Sequence, residues 1–199
     1  MKFLKSILAG VFISIGATAF LLTNNSFIFT IGIFLVFNFN TLLITGYVPS
    51  STYKGKFNAL DTLQIALGNL VGSYLFGILI DNTRLINAIK PIADKLIETK
   101  TNDSLLSIFT LAVLCVALIG YGVIGANKVD NYLGKMFALI FPTFIFVVCG
   151  FEHMVANMFY ITLADKFIIS IPFLLVSIIG NIVGGIIIGF TQKYIEKEI

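Results

Sequence analysis

Six stretches of the chain are apolar enough to cross a bilayer, some of them loosely: residues 5–22, 26–48, 62–80, 105–125, 136–163 and 167–190. A crossing helix needs about 20 mostly apolar residues. The connections between these stretches are short, with one exception. Residues 81–104 carry Asp81, Arg84, Lys90, Asp94, Lys95, Glu98, Lys100 and Asp103, while Leu85, Ile89, Ile92, Leu96 and Ile97 recur at helical spacing. That pattern predicts an amphipathic helix lying on the membrane surface or on the bundle. Taken together, the pattern predicts an all-α membrane protein with six transmembrane helices. The first stretch follows Lys2 and Lys5 and contains Ala17-Thr18-Ala19, which hints at signal-peptide cleavage. It reads better as a first transmembrane helix, which the remaining spans need as a packing partner.

Composition sharpens this picture. Only 12% of the 199 residues are charged, against 58% hydrophobic, where soluble domains carry about 25% charged residues. A soluble fold is excluded, and no polar stretch is long enough for a second domain. The net charge of +3 is small and spread over loops, so nucleic-acid binding has no support. Cys115 and Cys149 both lie in apolar runs; their spacing suits neither a zinc site nor a disulfide framework. With six spans both termini share one side, together with Lys2, Lys5, Lys54, Lys56, Lys128, Lys135, Lys193 and Lys197. The opposite side has Arg84, Lys90, Lys95, Lys100 and Lys166. The excess of lysines places both termini in the cytoplasm of a cell whose inner membrane holds the protein.

The chain also repeats itself. Gly68-Asn69-Leu70-Val71-Gly72 in the third span returns as Gly180-Asn181-Ile182-Val183-Gly184 in the sixth. Gly-x-x-x-Gly is common helix-packing chemistry, but two copies of the longer pattern at matching places favour a true repeat. Three spans per half invert the second half relative to the first. The expected organisation is one channel domain, 1–199, with repeats at about 1–80 and 105–199 joined by 81–104. The second and fifth spans are then equivalent, and both are expected to be interrupted. The fifth has Pro142 and Gly150; the second has Thr45-Gly46 followed by Pro49-Ser50-Ser51-Thr52. Paired broken helices in an inverted repeat are the best sequence pointer to a central path.

One histidine, His153, sits inside the fifth span beside Glu152, in an otherwise almost wholly apolar run from Phe144 to Ile161. Ionisable residues at bilayer depth are costly and normally face a cavity or pathway. Broken backbone at Gly150 is tolerated there only inside protein or beside water.

At these residues a resemblance emerges. Gly150-Phe151-Glu152-His153-Met154-Val155-Ala156-Asn157-Met158 resembles the Gly-Phe-Glu-His-x-x-Ala-Asn-Met signature of the formate/nitrite transporter family. Ala9-Gly10-Val11-Phe12-Ile13, Phe29-Thr30-Ile31-Gly32-Ile33, Leu43-Ile44-Thr45-Gly46 and the two glycine–asparagine motifs fit the family pattern in order. The resemblance implies an aquaporin-like fold, a homopentamer with one pore per protomer, and passage of small monovalent anions such as formate, nitrite or hydrosulfide. It implies His153 and Thr45 as pore residues and Phe29, Ile33, Leu43, Ile44 and Phe146 as constriction residues. Lys100 fits a lysine of the outer vestibule; Glu152 and Asn157 match motif positions of structural character. The implied partners are further copies of the chain, the anion with protons, and lipid, with no cofactor or metal. Three departures stand out. Leu42 replaces a usual acid, Asn40 a usual glycine, and Val116 a usual pore asparagine, while the loop between the fifth and sixth spans and the terminal extensions are short.

On this reading Lys100 draws the anion inward, and it crosses a dry constriction largely as the neutral acid or beside a transient charge on His153. Glu152 is expected to accept orphan backbone N–H groups at the helix break, and Thr45 either serves the path or caps the break. Two other classes compete. An intramembrane enzyme needs a nucleophile or several metal ligands near His153, yet the chain has one histidine. A non-transporting assembly protein needs neither the histidine nor paired breaks.

Overall fold

Without water to bind, backbone polar groups in a bilayer must be satisfied within the segment, which forces charge-free apolar runs into helix. The computed structural model describes residues 1–197. Among them it holds nine α-helices and one short 3-10 turn at Ile28–Thr30, with no strand. Four helices are long and apolar enough to cross a membrane: α1 (Lys2–Thr23), α4 (Ala59–Asp81), α6 (Leu105–Ala126) and α9 (Phe167–Ile195). The stretches expected at 26–48 and 136–163 are not continuous helices. The first yields α2 (Ile31–Asn38) and α3 (Ile44–Tyr53); the second yields α7 (Tyr132–Val148) and α8 (Met154–Ala164).

The position of the first interruption differs from expectation. It falls at 39–43, not at Thr45-Gly46 or Pro49. Pro49 lies inside α3 and Pro142 inside α7 without ending either helix. What breaks the chain is a left-handed residue followed by extended backbone. Asn40 has φ 49° and Gly150 φ 67°, and three residues later Leu43 and His153 are extended N-caps of α3 and α8. Glycine adopts that conformation freely, and asparagine is among the few other residues that tolerate it.

The long helices pack as α1 with α4 and α6 with α9, while α3 crosses to α6 and α9 and α8 crosses to α4. The glycine motifs make the close pairs possible. A Cβ at Gly72 would collide with the carbonyl of Ile7, and one at Gly184 would come 2.8 Å from that of Val113. The segment between α4 and α6 forms α5 (Ile86–Thr101), which lies on the bundle against α8 and buries Ile89, Ala93 and Ile97 completely. Of the two places expected for this amphipathic stretch, it takes the bundle. The core is largely apolar, and so is much of the exterior. Leu60, Leu79, Leu133, Ile168 and Ile169 stand exposed, while Thr45, Asn69, Glu152, His153, Asn157 and Asn181 are buried. An apolar exterior with the few ionisable side chains turned inward is what lipid selects.

Candidate functional site

Buried asparagines organise both interruptions. The Asn69 amide on α4 accepts from the Ile44 N–H (2.8 Å) and donates to the carbonyls of Leu42 (2.8 Å) and Ser6 (2.7 Å). The Asn181 amide on α9 accepts from the Met154 N–H (3.0 Å) and donates to the carbonyls of Glu152 (2.8 Å) and Ala112 (2.9 Å). Each amide therefore uses its acceptor and both donors. Sequence reasoning recognised these asparagines as marks of a repeat and missed what they hold. The available signal was cost: a side-chain amide at bilayer depth needs partners for every polar atom.

His153 projects from the second interruption and is 2% exposed. Its Nδ1 accepts from the Ala156 N–H at 3.3 Å, and its Nε2 lies 3.1 Å from Thr45 Oγ1. A backbone N–H only donates, so Nδ1 carries no proton; the ring proton is on Nε2 and is donated to the Thr45 hydroxyl. Thr45 sits in the first turn of α3 and caps nothing, because Leu43 is the N-cap. The imidazole stacks on Phe146 with ring centres 5.5 Å apart, and Phe146 meets Phe29 edge-on at 5.7 Å.

Two cavities flank this cluster. The smaller, of about 80 Å³, is lined by His153, Phe29, Phe146, Lys100, Asn157 and Gly150, joined by Phe20, Leu96, Phe151 and Tyr160. The larger, of about 680 Å³, is lined by Ile33, Leu43, Gly46, Tyr47 and Asp61 and takes in Lys2, Lys54 and Lys56. Phe29 and Ile33, one turn apart, face different cavities, and so do His153 and Gly46, the residue after Thr45. His153 borders the smaller chamber, and Thr45, fully buried and bordering neither, links it to Gly46 on the larger. Ile44 is fully buried and borders neither.

Lys100 lies in the last turn of α5 and is 12% exposed in its side chain. Its ammonium sits 2.6 Å from both oxygens of Glu152, which also accepts from Asn157 Nδ2 at 2.7 Å. Glu152 is thereby occupied by side chains. Glu152 was expected to accept orphan backbone N–H groups at the break, but that of Met154 goes to Asn181 and that of Ala156 to His153. At the larger cavity Lys2 pairs with Asp61 at 2.8 Å, and Tyr47 donates to the same carboxylate at 3.3 Å. Among the described residues there is no cluster of three or more histidine, cysteine or carboxylate side chains able to hold a metal.

Comparison with known proteins places this arrangement among relatives. A family model described as formate/nitrite transporter matches residues 1–195. The chain is 31% identical over 190 residues to the formate channel FocB of Escherichia coli (strain K12), covering 81% of this chain and 66% of FocB. It is 26% identical over 188 residues to the formate-nitrite transporter of Plasmodium falciparum (isolate 3D7), covering 82% and 58% respectively. The chain thus spans 58 to 66% of the length of these two curated relatives. Among solved structures, a pentameric formate channel with formate bound superposes with a TM-score of 0.84 at 22% identity, covering 100% of this chain and 97% of that one. At that identity the likeness establishes a shared fold.

Proposed function

The chain belongs to the formate/nitrite transporter family, and from that membership we propose that it is a passive or proton-coupled channel for small monovalent anions of weak acids: formate, nitrite or hydrosulfide. The observation that carries the reading is the His153–Thr45 hydrogen bond, which links the smaller chamber to Gly46 on the larger and is flanked by Phe146 and Phe29. An enzyme would need more chemistry than one imidazole and one hydroxyl, and the family is one of transporters.

The physics follows from that link. A bare anion entering a dry, apolar passage loses hydration at a cost of several kcal/mol even after relaxation. A neutral weak acid is not subject to that penalty. Lys100 draws the anion to the smaller chamber, while Glu152, steadied by Asn157, keeps the lysine in place. There the anion meets the Nε2–H of His153 and the hydroxyl of Thr45. Because the imidazole proton satisfies the threonine oxygen, the hydroxyl proton is left to the substrate. Phe29 and Phe146 form one constriction and Ile33 and Leu43 the other; a proton taken up with the anion from the aqueous side makes the neutral acid that passes between them, and it is released with the anion on the far side. The smaller chamber has room for a few waters or one triatomic anion.

The rest of the architecture is part of the same proposal. α2–α3 and α7–α8 each cross as one interrupted span, giving six crossings in two inverted halves within a single domain. Five copies assemble, lipid surrounds them, and the larger chamber with both termini faces the cytoplasm of the inner membrane. The excess of lysines on that face supports the orientation. Liposomes carrying the purified protein test the reading. Formate, nitrite or hydrosulfide should move down a gradient without ATP, faster as pH falls, while chloride should not. Flux equal to that of empty liposomes for all three weak acids overturns it.

A further inference from the structure

Two of the three hydrogen bonds made by each buried asparagine straddle a single residue. Asn181 holds the carbonyl of Glu152 and the N–H of Met154, the groups on either side of His153. Asn69 holds the carbonyl of Leu42 and the N–H of Ile44, on either side of Leu43. The third bond ties each amide to a carbonyl on the neighbouring long helix, Ala112 on α6 or Ser6 on α1. Asparagine is the compact neutral side chain that offers one acceptor and two donors in a plane. Aspartate has the shape without the donors, and serine has one donor. Neither asparagine borders either chamber, and every polar atom of each amide is committed to a backbone partner, so neither is left to meet a passing substrate.

We propose that Asn181 is the positioning residue for His153, that Asn69 is the positioning residue for Leu43, and that these two brackets set the chemistry of one constriction and the width of the other. The proposal rests on the transport reading above. Fixing the carbonyl before and the N–H after a residue fixes the direction of its Cα–Cβ bond. At His153 that direction decides whether Nδ1 reaches the Ala156 N–H, which in turn decides that the proton sits on Nε2 facing Thr45. At Leu43, 4% exposed and bordering the larger cavity, the same bracket sets only how far an aliphatic group reaches into the passage.

The chain has one histidine, so selective 15N-histidine labelling of protein without a polyhistidine tag, in lipid bilayers, yields signals from a single imidazole. The parent should show one Nε2-protonated species. Asn181→Ser should split it between tautomers and lower formate flux per folded oligomer about tenfold to a hundredfold, as a misplaced reacting group does. Asn69→Ser should leave the imidazole spectrum as in the parent and instead raise chloride leak relative to formate flux. If Asn181→Ser fails to assemble, Asn181→Asp keeps the volume and the acceptor for Met154 and serves in its place. A parent-like imidazole in the folded Asn181 variant overturns the proposal. A parent protein that passes no weak acid, with the imidazole still disturbed by Asn181→Ser, overturns the transport reading and leaves the positioning role standing.

Discussion

The interruptions at 39–43 and 149–153 share a backbone and differ in almost every side chain that matters. Both place a left-handed residue three positions before an extended N-cap, and both are held by an asparagine from a glycine-rich helix. Residues 110 apart correspond: Asn40 with Gly150, Leu42 with Glu152, Leu43 with His153, Tyr47 with Asn157. In one interruption the N-cap is an imidazole, preceded by a carboxylate that pairs with Lys100 and Asn157. In the other the N-cap is a leucine preceded by a leucine, and Tyr47 donates to Asp61 on α4. The scaffold is therefore a reusable device for presenting one buried residue at a helix break, and on the proposed transport reading the function depends on which residue is presented.

If that is right, exchanging the one polar N-cap for an apolar ring should have the largest effect. His153→Phe keeps the bracket by Asn181, since both bonds are to backbone, and keeps a ring to stack on Phe146. It removes the Nε2–H. Weak-acid flux should fall to that of empty liposomes while the oligomer elutes like the parent, with stability lowered by about 0.5–2 kcal/mol because the Ala156 N–H loses its cap. Flux within twofold of the parent would show that the two interruptions are functionally alike and that apolar packing alone conducts.

The next contrast is electrostatic. Lys100 and Glu152 are largely withdrawn from solvent, with side chains 12% and 3% exposed. Removing one member of a buried pair strands the other and costs about 3–5 kcal/mol, whereas replacing both is often neutral. Lys100→Ala should therefore lower the thermal stability of the oligomer by an amount of that order, and Lys100→Met combined with Glu152→Gln, which keeps the volume and the acceptor for Asn157, should recover most of it. The double variant then isolates attraction of the anion, read as slower uptake at low substrate and low salt. By contrast Lys2 and Asp61 are 57% and 28% exposed, and Lys2→Ala should change stability by less than about 1 kcal/mol. Equal losses from Lys100→Ala and Lys2→Ala would erase the distinction between the two chambers.

Much of this was legible before any coordinates, for a physical reason in each case. The long helices follow from apolar length. The centrality of His153 follows from the cost of an imidazole at bilayer depth, and its neighbours from a motif whose residues lie within one turn of it. Long-range partnerships were less accessible. Nothing in the local pattern tells that Lys100 reaches Glu152, 52 residues away, or that Asn181 holds the backbone around His153. Pro49 misled: with Thr45-Gly46 it drew the expected first break past its true place, yet it fits inside α3, and Pro142 likewise fits inside α7 while the second interruption takes in Gly150. The first break was set by Asn40, whose left-handed backbone leaves little trace in a single sequence.

That substitution of asparagine for glycine between equivalent positions offers the finest test of the comparison. A Cβ at Gly150 would meet nothing within 4 Å, so the only obstacle to a side chain there is φ 67°. An ordinary L-residue in the left-handed region costs about 1–2 kcal/mol, and asparagine less because its short side chain bonds locally. Gly150→Ala should destabilise the protein by about that amount, and Gly150→Asn by clearly less. Thermal unfolding of the three proteins side by side measures the difference. Should alanine and asparagine prove equally costly at 150, the backbone at the two interruptions would not be equivalent after all. The bracketed residues would then differ in presentation as well as in chemistry.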